Sequence, residues 1–242
     1  LQMAQQLTVI DAEMFKRIKS SELLNCHWSR KKTRHRSPNV LAIIARANSL
    51  AGFVQMSVLS QLVLATRAKA ITKWILIAGN LRKVRNYIRR MAVVAGLSTS
   101  PVTRLKQTWG VVKAPHLALF EAIQALMDPT GSYKRYRESR SGLSFCVPYL
   151  GTILTDLTFI NDGNPDTLDP VTGSVRLINW KKRELFFGVV SGLQTHIQEP
   201  CPFARDSELY PALEFLPHTT EDVLFDTSLS LEPKNVRRSE LV

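Results

Sequence analysis

The chain has 242 residues, of which 45% are hydrophobic, and it carries a formal net charge of +12. No proline-rich, glycine/serine-rich or homopolymeric tract marks a linker, so we predict one domain covering residues 1–242. Its apolar runs are far shorter than the roughly 20 residues that span a bilayer, and no signal peptide is visible, so we expect a soluble, cytoplasmic protein.

The first hundred residues show four helical patterns. Apolar residues over 3–18 recur every three or four positions, which predicts an amphipathic helix. The Ser-Pro pair at 37–38 offers an N-cap hydroxyl and a first-turn proline, so a second helix is expected to begin there. Apolar stripes over 71–78 and 91–95 predict a third helix and a fourth that ends near Gly96.

Helical patterns continue after residue 100. A second Ser-Pro pair at 100–101 predicts a helix that carries apolar residues as far as Trp109. A further helix is predicted over 117–127, before a turn at 128–131. Strand-like alternation is limited to a short stretch around 173–178, so the predicted fold class is all-α.

The last clear apolar stripe runs over 185–197, with Asn179 as a plausible cap upstream. It contains Gly188 and Gly192, four positions apart. Glycine costs about 1 kcal/mol relative to alanine inside a helix. The pair therefore indicates close packing against another element, with core packing as the preferred explanation.

The cysteines and histidines argue against covalent catalysis and metal binding. Cys26, Cys146 and Cys201 are odd in number and widely spaced, so neither a disulfide framework nor a zinc site is indicated. The five histidines form no helical metal-binding pair, and none lies in a nucleophile motif. We expect buried or incidental thiols, no metal and no cofactor.

The positive charge is concentrated in the first part of the chain. Residues 1–100 hold 17 Lys/Arg and 3 Asp/Glu, whereas residues 101–242 hold 15 and 17. The two main clusters are Arg30, Lys31, Lys32, Arg34 and Arg36, and Arg82, Lys83, Arg85, Arg89 and Arg90. Such clusters bind phosphates, anionic membrane or acidic proteins, or are simply solvated. Neither is accompanied by a convincing nucleic-acid reading motif, so no nucleic-acid partner is expected.

Three segments in fixed order carry a resemblance to a known family. They lie at 37–41, at 96–109, and at 147–166 with a continuation at 178–183; shorter matches lie at 6–8, 133–137 and 230–233. Ser-Pro-Asn alone is an ordinary helix start, and Gly-Asn-Pro alone is an ordinary turn. Taken together, these segments resemble the catalytic domain of Ras-family guanine-nucleotide exchange factors over almost the whole chain.

The resemblance implies a single multi-helix, bowl-shaped domain with a protruding helical hairpin at about 149–197. In this family the hairpin displaces one switch segment of a Ras-type small GTPase while the core grips the other, so that GDP leaves and the nucleotide-free state is stabilised. The implied partner is therefore a Ras-type small GTPase. The implied activity needs no covalent chemistry and no cofactor. Proximity to the inner face of a membrane is expected through other regions of a longer protein.

The resemblance also implies roles for individual residues. Thr155, Thr158 and Asp162 on the first hairpin helix are the expected catalytic residues; Thr158 would crowd the magnesium position, and Asp162 would offer a carboxylate where phosphate and metal were bound. The expected GTPase-binding residues are Ile44, Met91, Ser98, Thr103, Tyr133, Tyr149 and Leu150. The residues expected to hold the base and angle of the hairpin are Asn164, Asn179, Lys181, Lys182 and Arg183.

Departures from the family pattern keep other functions open. The family's asparagine-rich stretch is replaced by residues 85–88, and two usual asparagines are replaced by Ser98 and Ser132. The chief alternative is therefore an interaction module with this fold but weak or absent exchange activity. A basic helical nucleic-acid binder is a third class, motivated only by charge. The cluster at 82–90 is expected either to meet acidic residues of the GTPase or to be solvated.

Overall fold

The computed structural model describes residues 1–168, 176–217 and 220–240. Within these ranges the chain forms twelve α-helices and one two-stranded antiparallel sheet. The helices are α1 (Gln2–Lys16), α2 (Pro38–Leu59), α3 (Leu64–Lys83), α4 (Tyr87–Leu97), α5 (Ser100–Thr103), α6 (Lys106–Trp109), α7 (Ala114–Leu126), α8 (Thr130–Arg140), α9 (Leu150–Gly163), α10 (Trp180–Gln198), α11 (Leu209–Glu214) and α12 (Glu221–Leu231). The strands are β1 (Thr167–Leu168) and β2 (Leu177–Ile178). The all-α prediction is confirmed.

Most predicted helices appear near their expected positions, with two differences. The helix expected from 100 to Trp109 is divided into α5 and α6, because the backbone at Leu105 (φ −73°, ψ 64°) leaves the helical region. The strand expected around 173–178 is reduced to β2 in the described part of the chain. Residues 173–175 of that expectation lie outside the described residues.

The start of α2 is stabilised by a residue that the sequence analysis did not identify. The Ser37 hydroxyl donates to the carbonyl oxygen of Glu22 at 2.6 Å and does not cap the helix. Instead, the Glu22 carboxylate accepts hydrogen bonds from the backbone N–H groups of Asn39 (2.7 Å) and Val40 (3.3 Å). An anion at a helix N-terminus satisfies free N–H groups and favours the helix dipole. The expected serine cap is thus wrong, whereas the helix start is confirmed.

The main core lies between α2, α3 and α4. α2 packs principally against α4, and apolar residues of all three helices are buried there together with residues of α1, α5 and α7. The contact between α2 and α4 depends on Gly96. A Cβ atom at this position would lie 2.7 Å from the Ala51 carbonyl oxygen and 2.9 Å from the Val54 Cβ. Any larger residue would push the two helices apart.

α2 has the length and mean hydropathy of a helix that could cross a bilayer. In the folded chain, however, Leu50 is buried in the main core, and Val40 and Ile43 are buried in a second core that includes residues of α9 and α10. Arg46 lies half-buried near its middle and donates to the carbonyl oxygens of residues 213 and 214 at 2.6 and 2.7 Å. α2 is therefore a core helix of this domain.

The basic cluster at 82–90 is divided by the fold. Arg82, Lys83 and Arg85 are exposed, whereas Arg89 and Arg90 are buried. The interpretation of all five residues as one charged surface is therefore wrong. Arg82 and Lys83 lie in the last turn of α3 and Arg85 lies in the connection to α4, whereas Arg89 and Arg90 lie on α4 and are buried there.

Arg89 forms a buried ion pair with Asp11 of α1. Its Nε donates to Asp11 at 2.7 and 2.8 Å, and its Nη2 makes a further close contact with the same carboxylate. The Asn86 side-chain amide donates to Asp11 at 2.8 Å as well. The neighbouring Arg90 has no ion-pair partner in the described part of the chain, and burial lowers the pKa of its guanidinium to about 10.

The expectation of buried or incidental thiols is confirmed for two of the cysteines. Cys26 and Cys146 are buried, and Cys201 is half-buried. Burial raises the pKa of the Cys146 thiol to about 11 and also raises the pKa of Cys26. Both thiols therefore remain protonated at neutral pH, which makes them poor nucleophiles.

Candidate interaction site at the helical hairpin

α9 and α10 form a helical hairpin at the position predicted from the sequence. The two helices pack against each other, and apolar residues on their inner sides join a second core with Phe15 of α1 and Ile43 of α2. α10 is only lightly anchored, because Lys182, Val190 and Leu193 are its buried residues among those described. Much of the hairpin surface is therefore available to a partner.

The outer side of α9 presents the three predicted catalytic residues. Thr155 and Asp162 are exposed, and Thr158 is half-buried between them. The only side-chain hydrogen bond to Asp162 in the described part of the chain comes from the neighbouring Asn161 amide at 2.9 Å. Its carboxylate is consequently free to meet a cationic or hydroxyl group of another molecule.

The hydroxyl groups of Thr155 and Thr158, the two threonines predicted to be catalytic, are already engaged. Thr155 donates to the Gly151 carbonyl oxygen at 2.9 Å, and Thr158 donates to the Leu154 carbonyl oxygen at 2.8 Å. The Cys26 thiol also lies 3.8 Å from the Thr158 hydroxyl oxygen. Such bonds to the preceding helical turn use the hydroxyl inside the protein. The methyl group is the part of Thr158 that remains for contact with a partner.

Phe159 belongs to this face and was missed by the sequence analysis. It lies four residues after Thr155 and three before Asp162, which places it on the same side of α9. Its side chain is 69% exposed, an unusual state for a large aromatic group. The helical spacing was the signal that could have identified it. From the sequence alone, however, the exposure of Phe159 could not be distinguished from the burial of Leu157 two positions earlier.

The connecting end of the hairpin is held by Asn179, Lys182 and Asp166. The Asn179 side chain accepts a hydrogen bond from the Lys182 backbone N–H at 3.1 Å, so the predicted cap of α10 is confirmed. The Lys182 ammonium donates to the Asn161 carbonyl oxygen at 3.1 Å and lies 3.2 Å from the Asp166 carboxylate. Lys182 lowers the pKa of Asp166 through its hydrogen bond and its charge. These contacts tie the end of α9 to the beginning of α10.

The other predicted support residues contribute unequally. Arg183 pairs with Asp166 at 3.0 Å, and the Asn164 side-chain amide donates to the Ile160 carbonyl oxygen at 3.0 Å. Lys181 pairs with Glu184 of its own helix at 3.4 Å. All five predicted support residues lie at the connecting end of the hairpin rather than at its base.

Three tyrosines form the base of the hairpin. Tyr136 is fully buried, and its hydroxyl oxygen accepts a hydrogen bond from the Tyr149 backbone N–H at 2.8 Å. The Tyr149 ring centroid lies 5.6 Å from that of Tyr133 and 6.3 Å from that of Tyr136. Burial and the neighbouring tyrosines raise the pKa of Tyr149 to about 12. The ring crosses the first turn of α9, where a Cβ atom at Gly151 would lie only 2.5 Å from it.

A salt bridge joins α8 to the first hairpin helix. Arg137 donates to Asp156 of α9 through both terminal nitrogens, at 2.9 and 2.8 Å. Its Nε also donates to the Ser132 carbonyl oxygen at 2.7 Å. Ser132 and Tyr133 have positive φ angles of 56° and 61°, which non-glycine residues seldom adopt. A single guanidinium therefore fixes both the strained turn that presents Tyr133 and the orientation of α9.

The structure brings together some of the predicted GTPase-binding residues. Met91, Tyr133 and Tyr149 meet in one apolar cluster, and Tyr149 also contacts the second core, where Ile44 lies half-buried. Leu150 is 1% exposed and lies inside that second core, so it packs beneath the surface instead of contributing to it.

The two remaining predicted contact residues, Ser98 and Thr103, are exposed, and each forms a side-chain hydrogen bond. Ser98 accepts a hydrogen bond from the Gln124 amide at 3.2 Å, and Thr103 donates to the Thr99 carbonyl oxygen at 3.0 Å. Neither belongs to the apolar clusters that contain Tyr149. They remain separate predicted contact points.

The glycines of α10 do not pack closely against another element. A Cβ atom at Gly188 or Gly192 would meet nothing within 4 Å, so the predicted core packing is wrong. Both glycines instead line a hollow of about 420 Å³ between α8, α9 and α10, together with Arg137 and Asp156. Their small size opens a groove beside the hairpin.

Comparisons with known proteins agree with this architecture. The profile of the RasGEF domain family matches residues 2–184. The chain is 37% identical to Ras guanine nucleotide exchange factor R of Dictyostelium discoideum over 239 residues, which is 98% of the chain and 14% of that protein. It is 36% and 34% identical to exchange factors J and A of the same organism, over 100% of the chain and 29% and 41% of those proteins. The chain thus spans less than half the length of each of these relatives.

Proposed function

We propose that this chain, which belongs to the RasGEF domain family, promotes GDP release from a Ras-type small GTPase. The observation that carries the proposal is the free outer face of α9, where Thr155, Phe159 and Asp162 are all exposed. An aromatic group and an exposed carboxylate on one helix can displace a loop and replace its polar contacts at the same time. The hairpin is the wedge in this mechanism.

Asp162 supplies the electrostatic part of the proposed mechanism. Its carboxylate repels the phosphates of a bound nucleotide, because like charges in a partly dehydrated site oppose each other. The same carboxylate accepts a hydrogen bond from a hydroxyl or ammonium group of the GTPase that loses its phosphate or metal contact. Both effects weaken nucleotide binding and stabilise the empty GTPase.

Thr158 supplies bulk in the proposed mechanism. Since its hydroxyl donates to the Leu154 carbonyl oxygen, the methyl group is the free part of the side chain. A methyl group that enters the magnesium position excludes the ion by size without offering a ligand. This supports a steric role for Thr158 over a hydrogen-bonding role.

Tyr149 is the proposed anchor for the second contact with the GTPase. Its half-buried ring is fixed by Tyr133, Tyr136 and the close approach to Gly151. A preorganised aromatic side chain loses little entropy on binding, which is why such groups dominate interface energetics. The partly exposed Met91 beside it extends the apolar patch.

The proposed reaction is an exchange of binding partners and forms no covalent bond. A GTPase that holds its nucleotide at roughly picomolar affinity is stabilised by about 16 kcal/mol, and comparable contact energy with the exchange factor is required to open it. Since the coupling is reciprocal, rebinding of either nucleotide releases the exchange factor. No cofactor of the exchange factor enters this cycle.

Release of a fluorescent GDP analogue from Ras, Rap and Ral proteins tests the proposal. We expect the chain to accelerate release from at least one of them, and we expect Tyr149→Ala and Asp162→Ala to slow it. Lys134→Ala, at an exposed position of α8, serves as the control and should leave the rate unchanged. Tight binding to a GTPase without faster release would instead support an inactive interaction module.

A further inference from the structure

A long central part of the chain contains no acidic residue. Residues 23–120 include 17 Lys/Arg and no Asp or Glu. Five arginines of this stretch make contacts inside the fold or are buried. Arg67, Arg89 and Arg90 are buried. Arg46 and Arg104 donate hydrogen bonds to backbone carbonyl oxygens. The lysines, by contrast, are exposed. All seven lysines of the stretch and five of its ten arginines therefore carry uncompensated charge at the surface.

One side of α3 concentrates these lysines together with exposed aliphatic residues. The stripe, which we call the α3 face, consists of Leu62, Thr66, Lys69, Lys73, Leu76 and Lys83. Leu62 lies two residues before α3, and the other members follow one another at steps of three, four or seven residues, the spacing of one side of a helix. At 1.5 Å per residue, the helical part of the face from Thr66 to Lys83 is about 26 Å long. Leu62 is 79% exposed and Leu76 is 44% exposed.

Hollows of about 660 and 470 Å³ lie on the two sides of Lys69 and Lys73. The first includes Trp74 and the 83% exposed Phe215, and the second includes Val111 and Lys113. Among the described residues that line them there is no Asp or Glu. The lysines of the α3 face also make no ion pair within the described ranges of the chain. Their ammonium groups are thus available to an external anion.

We propose that the α3 face is a contact surface for an anionic lipid bilayer. Lysine stems can lie along apolar surface while their ammonium groups reach phosphate or carboxylate headgroups. Exposed Leu62 and Leu76 can enter the boundary between headgroups and acyl chains. The charges of the face are all lysines, a residue type that is depleted in protein–protein interface cores, where arginine and aromatic residues are enriched. This composition favours a lipid surface over an acidic protein.

The α3 face is separate from the proposed GTPase contacts. α3 contributes to the main core with α2 and α4, whereas the inner sides of the hairpin helices belong to the second core. The face contains none of the residues proposed to contact the GTPase. Membrane binding therefore does not depend on the proposed exchange activity. It would bring the domain itself to the membrane, in addition to any attachment through other regions.

Vesicle flotation tests this inference. The 242-residue chain is mixed with vesicles of phosphatidylcholine alone or with added phosphatidylserine. We expect binding only to the phosphatidylserine vesicles, and weaker binding at high salt. In K69Q/K73Q we expect about thirtyfold weaker binding, since each lysine near an anionic surface contributes about fivefold. The control K31Q/K32Q removes two exposed lysines outside α3 and should reduce binding much less.

Further variants separate the local face from general positive charge. L62S/L76S keeps the net charge and should still weaken vesicle binding, because it removes the aliphatic contact. Equal losses in K69Q/K73Q and K31Q/K32Q would overturn the proposal in favour of a net-charge effect. Absence of wild-type binding would overturn it too, as would stronger binding to soluble polyglutamate than to vesicles. Circular dichroism of each variant verifies that it is folded.

Discussion

The α2–α4 core and the α9–α10 hairpin use similar residue types in opposite ways. In the core, Asp11 is fully buried and held by Arg89 and Asn86. On the hairpin, Asp162 is exposed and Phe159 and Phe187 are 69% and 70% exposed. The core pairs this carboxylate with groups of the same domain, whereas the hairpin leaves apolar and charged groups exposed to solvent. Substitutions in the first region should therefore change stability, and substitutions in the second should change exchange.

The largest expected effect is on the buried ion pair. Arg89→Met leaves the Asp11 carboxylate buried without its charged partner, which typically costs 3–5 kcal/mol, or about half the stability of a small domain. Urea unfolding monitored by circular dichroism measures this loss. Arg82→Met, at an exposed arginine of α3, is the control and should change the free energy of unfolding by about 0.5 kcal/mol or less. If both variants change the free energy of unfolding by the same small amount, the Asp11–Arg89 pair does not stabilise the fold as we expect.

The next largest effect is expected at Phe159. Phe159→Ala removes an exposed aromatic group from the proposed wedge and should slow GDP release about thirtyfold, equivalent to about 2 kcal/mol at an interface hot spot. Its free energy of unfolding should hardly change, because the side chain has little packing to lose. Phe225→Ala on α12 is the matched control and should exchange normally. Normal exchange by Phe159→Ala would place the functional surface elsewhere.

Variants of the Arg137–Asp156 pair test whether the orientation of the hairpin affects the exchange rate independently of the residues that contact the GTPase. Arg137→Asp should slow exchange about tenfold, which corresponds to about 1.4 kcal/mol of transition-state stabilisation. The reason is that α9 and the turn that presents Tyr133 both lose the contact that orients them. The double variant R137D/D156R restores the pair with reversed charges and should recover part of the rate. Reversal of the exposed Lys134–Glu138 pair, whose atoms are 4.0 Å apart, should have no effect. If the double variant is slower than both single variants, orientation by this pair is not the cause.

A smaller effect distinguishes the two possible roles of Thr158. Thr158→Ser removes the methyl group and should slow exchange about fourfold, which corresponds to about 0.8 kcal/mol for one buried methyl contact. Thr158→Val keeps the bulk and should exchange nearly as fast as the wild type. Thr227→Ser is a control, because Thr227 makes the same bond to the preceding turn on α12. The opposite order of the serine and valine variants would indicate a role for the hydroxyl.

The smallest effect is expected at the exposed glycines of α10. Gly188→Ala should stabilise the chain by about 0.5 to 1 kcal/mol, because the added methyl group meets open space and alanine favours a helix. Thermal unfolding measures this gain. Gly96→Ala is the contrasting variant and should destabilise the chain, because its methyl group would meet Ala51 and Val54. Slower exchange by a stabilised Gly188→Ala protein would indicate that a partner enters the adjoining groove.

Much of the fold followed from local sequence patterns. Apolar residues at helical spacing predicted α1 to α4, and the late stripe with Asn179 predicted α10 and its cap. These predictions succeed because a helix bonds within itself and its caps lie a few residues away. The order of three segments also identified the hairpin and its exposed Asp162.

Contacts between distant residues were the part that local patterns did not reveal. Glu22 caps a helix that begins sixteen positions later, and Arg89 meets Asp11 across 78 positions. The burial of Leu150, the exposure of Phe159 and the open space beside Gly188 follow from which elements pack together. The amino-acid order determines helical faces through a fixed period of 3.6 residues per turn, but the neighbours that cover each face are set by long-range packing.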